Sequence, residues 1–123
     1  MKVMALISLL ALTGPIIPRP SAEFERTEYD LGFIQHHRVV RIQIGFKNTG
    51  QADLEIQKIE TYCGCLNSFV REKIIPPGGE GILEIRFNSG DYHGQVEKYI
   101  YVYTSDPKNR VVEIMIKAFV INN

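Results

Sequence analysis

The 123-residue chain has no tryptophan, only two cysteines and no excess of either charge, with 14 Lys and Arg against 14 Asp and Glu. Polyanion binding draws on clustered cationic side chains, and here the basic residues are scattered, which argues against a nucleic-acid partner. No apolar run reaches the roughly 18 residues that cross a bilayer as a helix. At 45% hydrophobic residues with balanced charge, the composition is that of a folded domain and not of a disordered chain. Phosphate loops, dinucleotide fingerprints, EF-hands and His-Glu-x-x-His are all missing. There is no Gly-x-Ser-x-Gly elbow either, so Ser89, Asp91 and His93 read as an ordinary polar turn, not as nucleophile and base. Asn48-Thr49-Gly50 is no glycosylation acceptor, because Gly50 stands where Ser or Thr is needed. The pattern predicts a protein that is not an enzyme.

What is present begins with an export signal over residues 1–22. Met1 and Lys2 give a positive start, and Val3 to Leu12 are apolar apart from Ser8. That stretch is too short for a membrane span but suits a secretory signal peptide. Thr13 to Ala22 carries Pro15, Pro18 and Pro20, which break a helix or a strand, and ends on the small Ser21 and Ala22. Cleavage is expected after Ala22, although Arg19 and Pro20 suit the cut poorly. The destination is the periplasm, the cell envelope or the exterior. The mature domain, residues 23–123, loses Lys2 and Arg19, leaving 12 basic against 14 acidic residues, and contains no membrane span.

The mature domain reads as all-β. Val40, Ile42, Ile44 and Phe46 alternate with Arg41, Gln43, Gly45 and Lys47, the period of a half-buried strand. Leu54 and Ile56 repeat the pattern, until Ile59 breaks phase as a bulge does. Pro76-Pro77-Gly78-Gly79 is a breaker, and Leu83, Ile85 and Phe87 alternate again. Gly94 to Thr104 and Val111 to Ile121 form the last two strands, split by Ser105 to Asn109. With Phe24 to Tyr29 and Leu66 to Val70 the count is about seven. Turn signals this frequent, with no helical window, predict an immunoglobulin-like Greek-key sandwich.

Tyr29-Asp30-Leu31-Gly32-Phe33-Ile34, Phe46-Lys47-Asn48-Thr49-Gly50, Tyr62-Cys63-Gly64-Cys65 and Ile75-Pro76-Pro77-Gly78-Gly79-Glu80 follow one another, with Ile114-Met115-Ile116-Lys117-Ala118 closing the series. This ordered set resembles the bacterial exported family of domain of unknown function 1573, whose pattern is a "DFG" opening, an "NTG" turn, a "CGC" motif and a "PGE" turn. The resemblance covers nearly the whole mature chain. It implies an immunoglobulin-like sandwich akin to major sperm protein and PapD-like domains, and no activity. The chain departs from the family pattern at three places. Leu31 replaces an aromatic, His36-His37 stand where Glu-Gly is commoner, and Tyr62 and Leu66 flank the cysteines in place of Ser and Thr.

Cys63 and Cys65 carry the unusual chemistry. In an exported protein two cysteines suggest a disulfide. Residues two apart on an extended strand lie near the upper Cα separation for bridging, so Gly64 is expected to fold the backbone between them. Such a small ring is expected to be strained, comparatively reducible and of little worth as a loop closure. Three readings stay open: a local structural pair, a redox-active dithiol, or a metal site. For the last, alternating connections bring the Gly32–Arg38, Cys63–Cys65 and Asn88–Gly94 turns to one end. His36, His37 and His93, with Asp91, then approach the thiols, a set suited to Cu(I) or Zn(II). The plainer reading makes each His an exposed turn residue and the domain cofactor-free.

Tyr99, Tyr101 and Tyr103 share one face of their strand, because Ile100 and Val102 take the other. Met115 and Phe119 have the same outward parity on the last strand. Tyr packs well across exposed strands, which is the plain reading. As a surface, the stripe suits a protein or glycan partner. The sequence therefore predicts an exported, non-enzymatic module working through protein contacts, with edge strands able to accept or donate a strand. The alternative function is the thiol site.

Overall fold

A computed structural model describes residues 17–122, and the first sixteen residues of the expected export signal lie outside it. Nine strands follow in order: β1 (Ala22–Phe24), β2 (Glu28–Gln35), β3 (Val39–Asn48), β4 (Leu54–Thr61), β5 (Leu66–Val70), β6 (Ile74–Ile75), β7 (Glu80–Asn88), β8 (Gly94–Thr104) and β9 (Val111–Ile121). They form a four-stranded sheet, β1-β3-β7-β5, packed on a five-stranded sheet, β2-β9-β8-β4-β6. Neighbours are antiparallel except β2 and β9, which run parallel. Among the described residues there is no helix, and hence none long and apolar enough to cross a membrane. The fold is the immunoglobulin-like sandwich that the alternation predicts.

The alternating residues fill the space between the sheets. Ile44, Phe46, Leu83, Ile85 and Phe87 enter from one sheet, and Leu54, Ile100, Val102, Ile114 and Ile116 from the other, all buried. Each such side chain contributes about 1.5–3 kcal/mol on leaving water. Phe24 extends this packing to the first edge by stacking on Phe46, with ring centroids 4.9 Å apart.

The count is nine and not seven for two local reasons. The segment expected as one strand from Phe24 to Tyr29 bends near Arg26, so β1 joins one sheet and β2 the other. Ile74 and Ile75 make a two-residue strand against Leu54 and Glu55, too short to show a period. The turn expected from Gly32 also starts later. Gly32 instead sits in a bulge within β2, at φ 70° with its N–H held by the Asp30 carboxylate at 2.9 Å, and β2 continues to Gln35. The expected bulge in β4 is there as a register shift between Ile56 and Lys58.

Asn48 shows why the turn after β3 needs that residue. Fully buried, it donates Nδ2–H bonds to the carbonyls of Ala52 (2.7 Å) and Ile75 (2.9 Å), while Oδ1 accepts from Ser21 (3.1 Å) and Gly50 (3.0 Å). Every donor and acceptor of the amide is thus engaged. Residues just before the expected cut also join the domain: the carbonyls of Arg19 and Ser21 accept from Gln51 (2.8 Å) and Thr49 (2.9 Å).

Candidate functional site

Three turns meet at one end of the sandwich, as the alternating connections predict. His37 N–H donates to the Gly90 carbonyl (2.9 Å), Ser89 N–H to Arg38 (2.8 Å) and Asn88 N–H to Cys65 (2.8 Å). Buried Ser89 fastens two of them, since its hydroxyl donates to the Gln35 carbonyl (2.7 Å) and accepts from Arg38 N–H (2.9 Å).

The third turn carries the cysteines. Leu66 N–H donates to the Cys63 carbonyl at 3.1 Å, closing a β-turn with Gly64 and Cys65 at its centre. The turn draws the two Cα atoms to 5.1 Å, inside the bridging range, and Cys63 and Cys65 are joined as a disulfide. Gly64 achieves this without a positive φ, and a Cβ there would meet nothing within 4 Å. The two sulfurs differ in surroundings. Cys65 packs against the hydrophobic core. Cys63 lines an open cavity of about 230 Å³ with Tyr62, Glu97, Lys98, Tyr99 and Tyr101. Its Sγ accepts the Cys65 N–H at 3.1 Å and lies 3.3 Å from the Tyr92 hydroxyl. Tyr92 is held in turn by a stack on Phe87 (6.5 Å) and by Lys98 Nζ, 4.8 Å from its ring centre.

His36 and His37 make their contacts with other residues. His36 and His37 pack ring to ring at 4.3 Å, and His37 Nε2 lies 3.2 Å from the Asp91 carboxylate. His93 is exposed. The shared end does bring the turns together, but with both sulfurs bonded to each other neither is a thiolate ligand. Among the described residues no three His, Cys, Asp or Glu side chains are grouped to hold an ion.

The cavity opens onto the outer face of the five-stranded sheet. Tyr99, Tyr101 and Tyr103 point outward there, opposite Met115, Glu113 and Val111 of β9. Phe119 shares the face and meets Phe33 of β2 edge-on at 5.4 Å. On the far side Tyr62 packs at 5.8 Å from Tyr101. The phenols are tied to carboxylates along the sheet: Tyr62 donates to Glu60 (2.7 Å) and Tyr99 to Glu97 (2.6 Å). Those carboxylates raise both phenol pKa values, which keeps the hydroxyls protonated as donors. Lys58, 2.7 Å from Glu60, is the larger cause holding the Glu60 carboxyl below its usual range, ahead of Tyr62. The result is a plateau of neutral aromatic rings edged by paired charges.

Sequence reading singled out Tyr99, Tyr101, Tyr103, Met115 and Phe119 but missed Phe33, Tyr62 and Tyr92 as parts of these surfaces. Tyr62 was visible only as a departure from a family pattern. Phe33 faces outward only because β2 runs on through the Gly32 bulge.

An all-β sandwich of this topology has the immunoglobulin-like fold. The chain belongs to the family described as "Protein of unknown function (DUF1573)", which matches residues 22–120. Among curated proteins none matches it. A protein of unknown function from Porphyromonas gingivalis W83 is similar in structure at TM-score 0.69 and 20% identity, over 89% of this chain and 50% of that one. The chain thus spans half the length of that protein. PapD-like domain 7 of human CEP192 superposes at TM-score 0.67 and 12% identity, covering 100% of this chain and 98% of the domain. SSP-19 of Caenorhabditis elegans, an MSP-domain protein like family member, gives TM-score 0.57 at 13% identity over 79% and 98%. At such identities these likenesses speak for the fold alone.

Proposed function

We propose that this chain is an exported, non-enzymatic interaction module that docks a protein partner at the cell envelope through the outer face of its five-stranded sheet. One observation carries the reading. Tyr62 (77% exposed), Phe33 (76%) and Phe119 (43%) leave large aromatic surface in water on the same sheet face, beside Tyr99, Tyr101, Tyr103 and Met115. Aromatic side chains give contact area at low entropic cost and are enriched at interface centres. Export rests on residues 1–22 as a signal peptide, and periplasmic fractionation of the tagged precursor checks it.

The test is affinity capture from envelope extracts with the wild-type chain and with a Phe33→Ser, Tyr62→Ser, Phe119→Ser triple variant. These side chains lie outside the core, so the variant melts at the same temperature and loses most of the recovered partner. Equal recovery refutes the surface.

A second mode of contact is favoured by the open side between the sheets. β5 pairs only with β7, and beside it a cavity of about 240 Å³ is lined by Ile56, Ile59, Phe69 and Val70. An extended partner segment adding to the β5 edge would seat alternate side chains there. Capture lost on Ser68→Pro but kept in the triple variant selects this mode.

A further inference from the structure

We propose that Cys63 and Cys65 form a thiol–disulfide exchange centre, in which Cys63 exchanges with a partner's sulfur and Cys65 resolves the mixed disulfide. This goes beyond docking, and it concerns different side chains. The argument is the asymmetry of the bridge. Cys63 faces the open cavity at the edge of the tyrosine plateau, whereas Cys65 packs on the core with its carbonyl held by Asn88 N–H at 2.8 Å. Both cysteines are half-buried, but the open cavity lies on the Cys63 side, which gives an incoming sulfur its approach.

The hydrogen bonds point the same way. The Cys63 Sγ faces the Cys65 amide at 3.1 Å and the Tyr92 hydroxyl at 3.3 Å. A disulfide sulfur has no proton, so both groups are donors here, and both stay in place to stabilise negative charge on Cys63 when the bridge opens. Lys98, over the Tyr92 ring and on the cavity wall, adds a cation. Glu97 on the same wall opposes it, but its carboxylate is engaged by the Tyr99 hydroxyl at 2.6 Å. Hydrogen-bond donors and a nearby cation are what convert a thiol into a nucleophilic thiolate.

The exchange balances as a two-electron transfer. With the pair reduced, the Cys63 thiolate attacks one sulfur of a partner disulfide, whose S–S bond breaks and releases its other sulfur as a thiolate. Cys65, giving its proton to solvent, attacks the Cys63 sulfur, restores the Cys63–Cys65 bond and frees the partner's second sulfur. The partner gains two electrons and takes up two protons, matching the two lost by the cysteine thiols. The reverse sequence oxidises a partner dithiol. Plateau and cavity adjoin, so the substrate class is a protein cysteine pair presented by whatever docks on the tyrosine face.

The test uses the full exported chain and glutathione disulfide as probe. The wild-type chain, reduced with dithiothreitol, is mixed with the probe, quenched with acid and mapped by mass spectrometry. The expected glutathione adduct is on Cys63. An adduct mainly on Cys65, or a bridge that dithiothreitol leaves intact in the folded chain, overturns the proposal. Cys65→Ser accumulates the adduct, while Cys63→Ser reacts at least about ten-fold more slowly, because its remaining thiol lacks the open cavity and the Tyr92 hydroxyl; equal rates overturn the assignment. In the Cys65→Ser background, Tyr92→Phe slows alkylation of Cys63 by iodoacetamide about five-fold near neutral pH, the worth of one hydrogen bond to the thiolate, and moves the pH profile upward. An unchanged profile removes Tyr92 from the mechanism. Partner capture by the aromatic face persists in Cys63→Ser, so failure of one proposal is told from failure of the other.

Discussion

The backbone amide of Ala22 donates a 2.8 Å hydrogen bond to Oδ2 of Asp106, 84 positions further along the chain. The same carboxylate accepts from Lys108 N–H (2.8 Å) and Asn109 Nδ2 (2.9 Å), so one buried side chain closes the β8–β9 turn and anchors the first strand. Burial pushes its pKa up, but the Asn109 side chain and the backbone amides outweigh that, and the net shift is downward.

Asp106→Ala is therefore expected to cost about 2 kcal/mol at neutral pH, since charge-assisted hydrogen bonds are lost and their donors stranded. A carboxyl whose folded pKa lies below its unfolded value of about 3.9 stabilises fully above that value and progressively less as pH falls through the folded one. Urea denaturation from pH 7 down to pH 3 should show the gap between wild type and variant closing below about pH 4.

A chain starting at Glu23 lacks the bonds made by Arg19, Ser21 and Ala22 to the Asn48 turn and to Asp106. At roughly 1 kcal/mol for each net hydrogen bond, it should be about 2–4 kcal/mol less stable than one starting at Ile17. Denaturant midpoints of the two chains check this, and the intact mass of the protein purified from its own cells reports where its first residue lies.

Asn48→Asp replaces the two N–H bonds to Ala52 and Ile75 with a carboxylate facing two carbonyl oxygens in a buried place. A loss of about 3–5 kcal/mol is expected, the cost of an uncompensated buried charge. The deficit should shrink in acid as the carboxyl is protonated, which thermal melts at two pH values would show.

His37 holds φ 54°, the one non-glycine residue in the left-handed region among those described. It stands where, by the resemblance noted above, Gly is commoner. His37→Gly should raise stability by about 0.5–1 kcal/mol, relief of Cβ strain exceeding the exposed pairing with Asp91. Equilibrium unfolding of the variant is the measurement.

Alternation made the long strands legible, because each has a core face and a water face. β8 and β9 have the predicted ends, Gly94–Thr104 and Val111–Ile121. What alternation cannot carry is which strand lies beside which, and the parallel pairing of β2 with β9 joins segments at opposite ends of the sequence. It also fails below about four residues, so Ile74–Ile75 went unseen. The Cys63–Cys65 pair was plain, but Tyr92 was not. Metal-ligand chemistry in that turn singles out Asp91 and His93, whereas the residue between them, Tyr92, is the one that touches the sulfur.

The parallel lie of β2 and β9 has a mechanical side. Tension applied to the two ends of the domain draws β2 toward its start and β9 toward its finish, so the strands are pulled lengthwise past each other. From Glu28–Met115 to Gln35–Ile121 their hydrogen bonds bear that load together and do not open one at a time. The bonds of Arg19, Ser21 and β1 are loaded before that pair. A domain loaded through its ends would thus resist as a rivet does, in shear, with its tyrosine plateau still flat while the chain is under force.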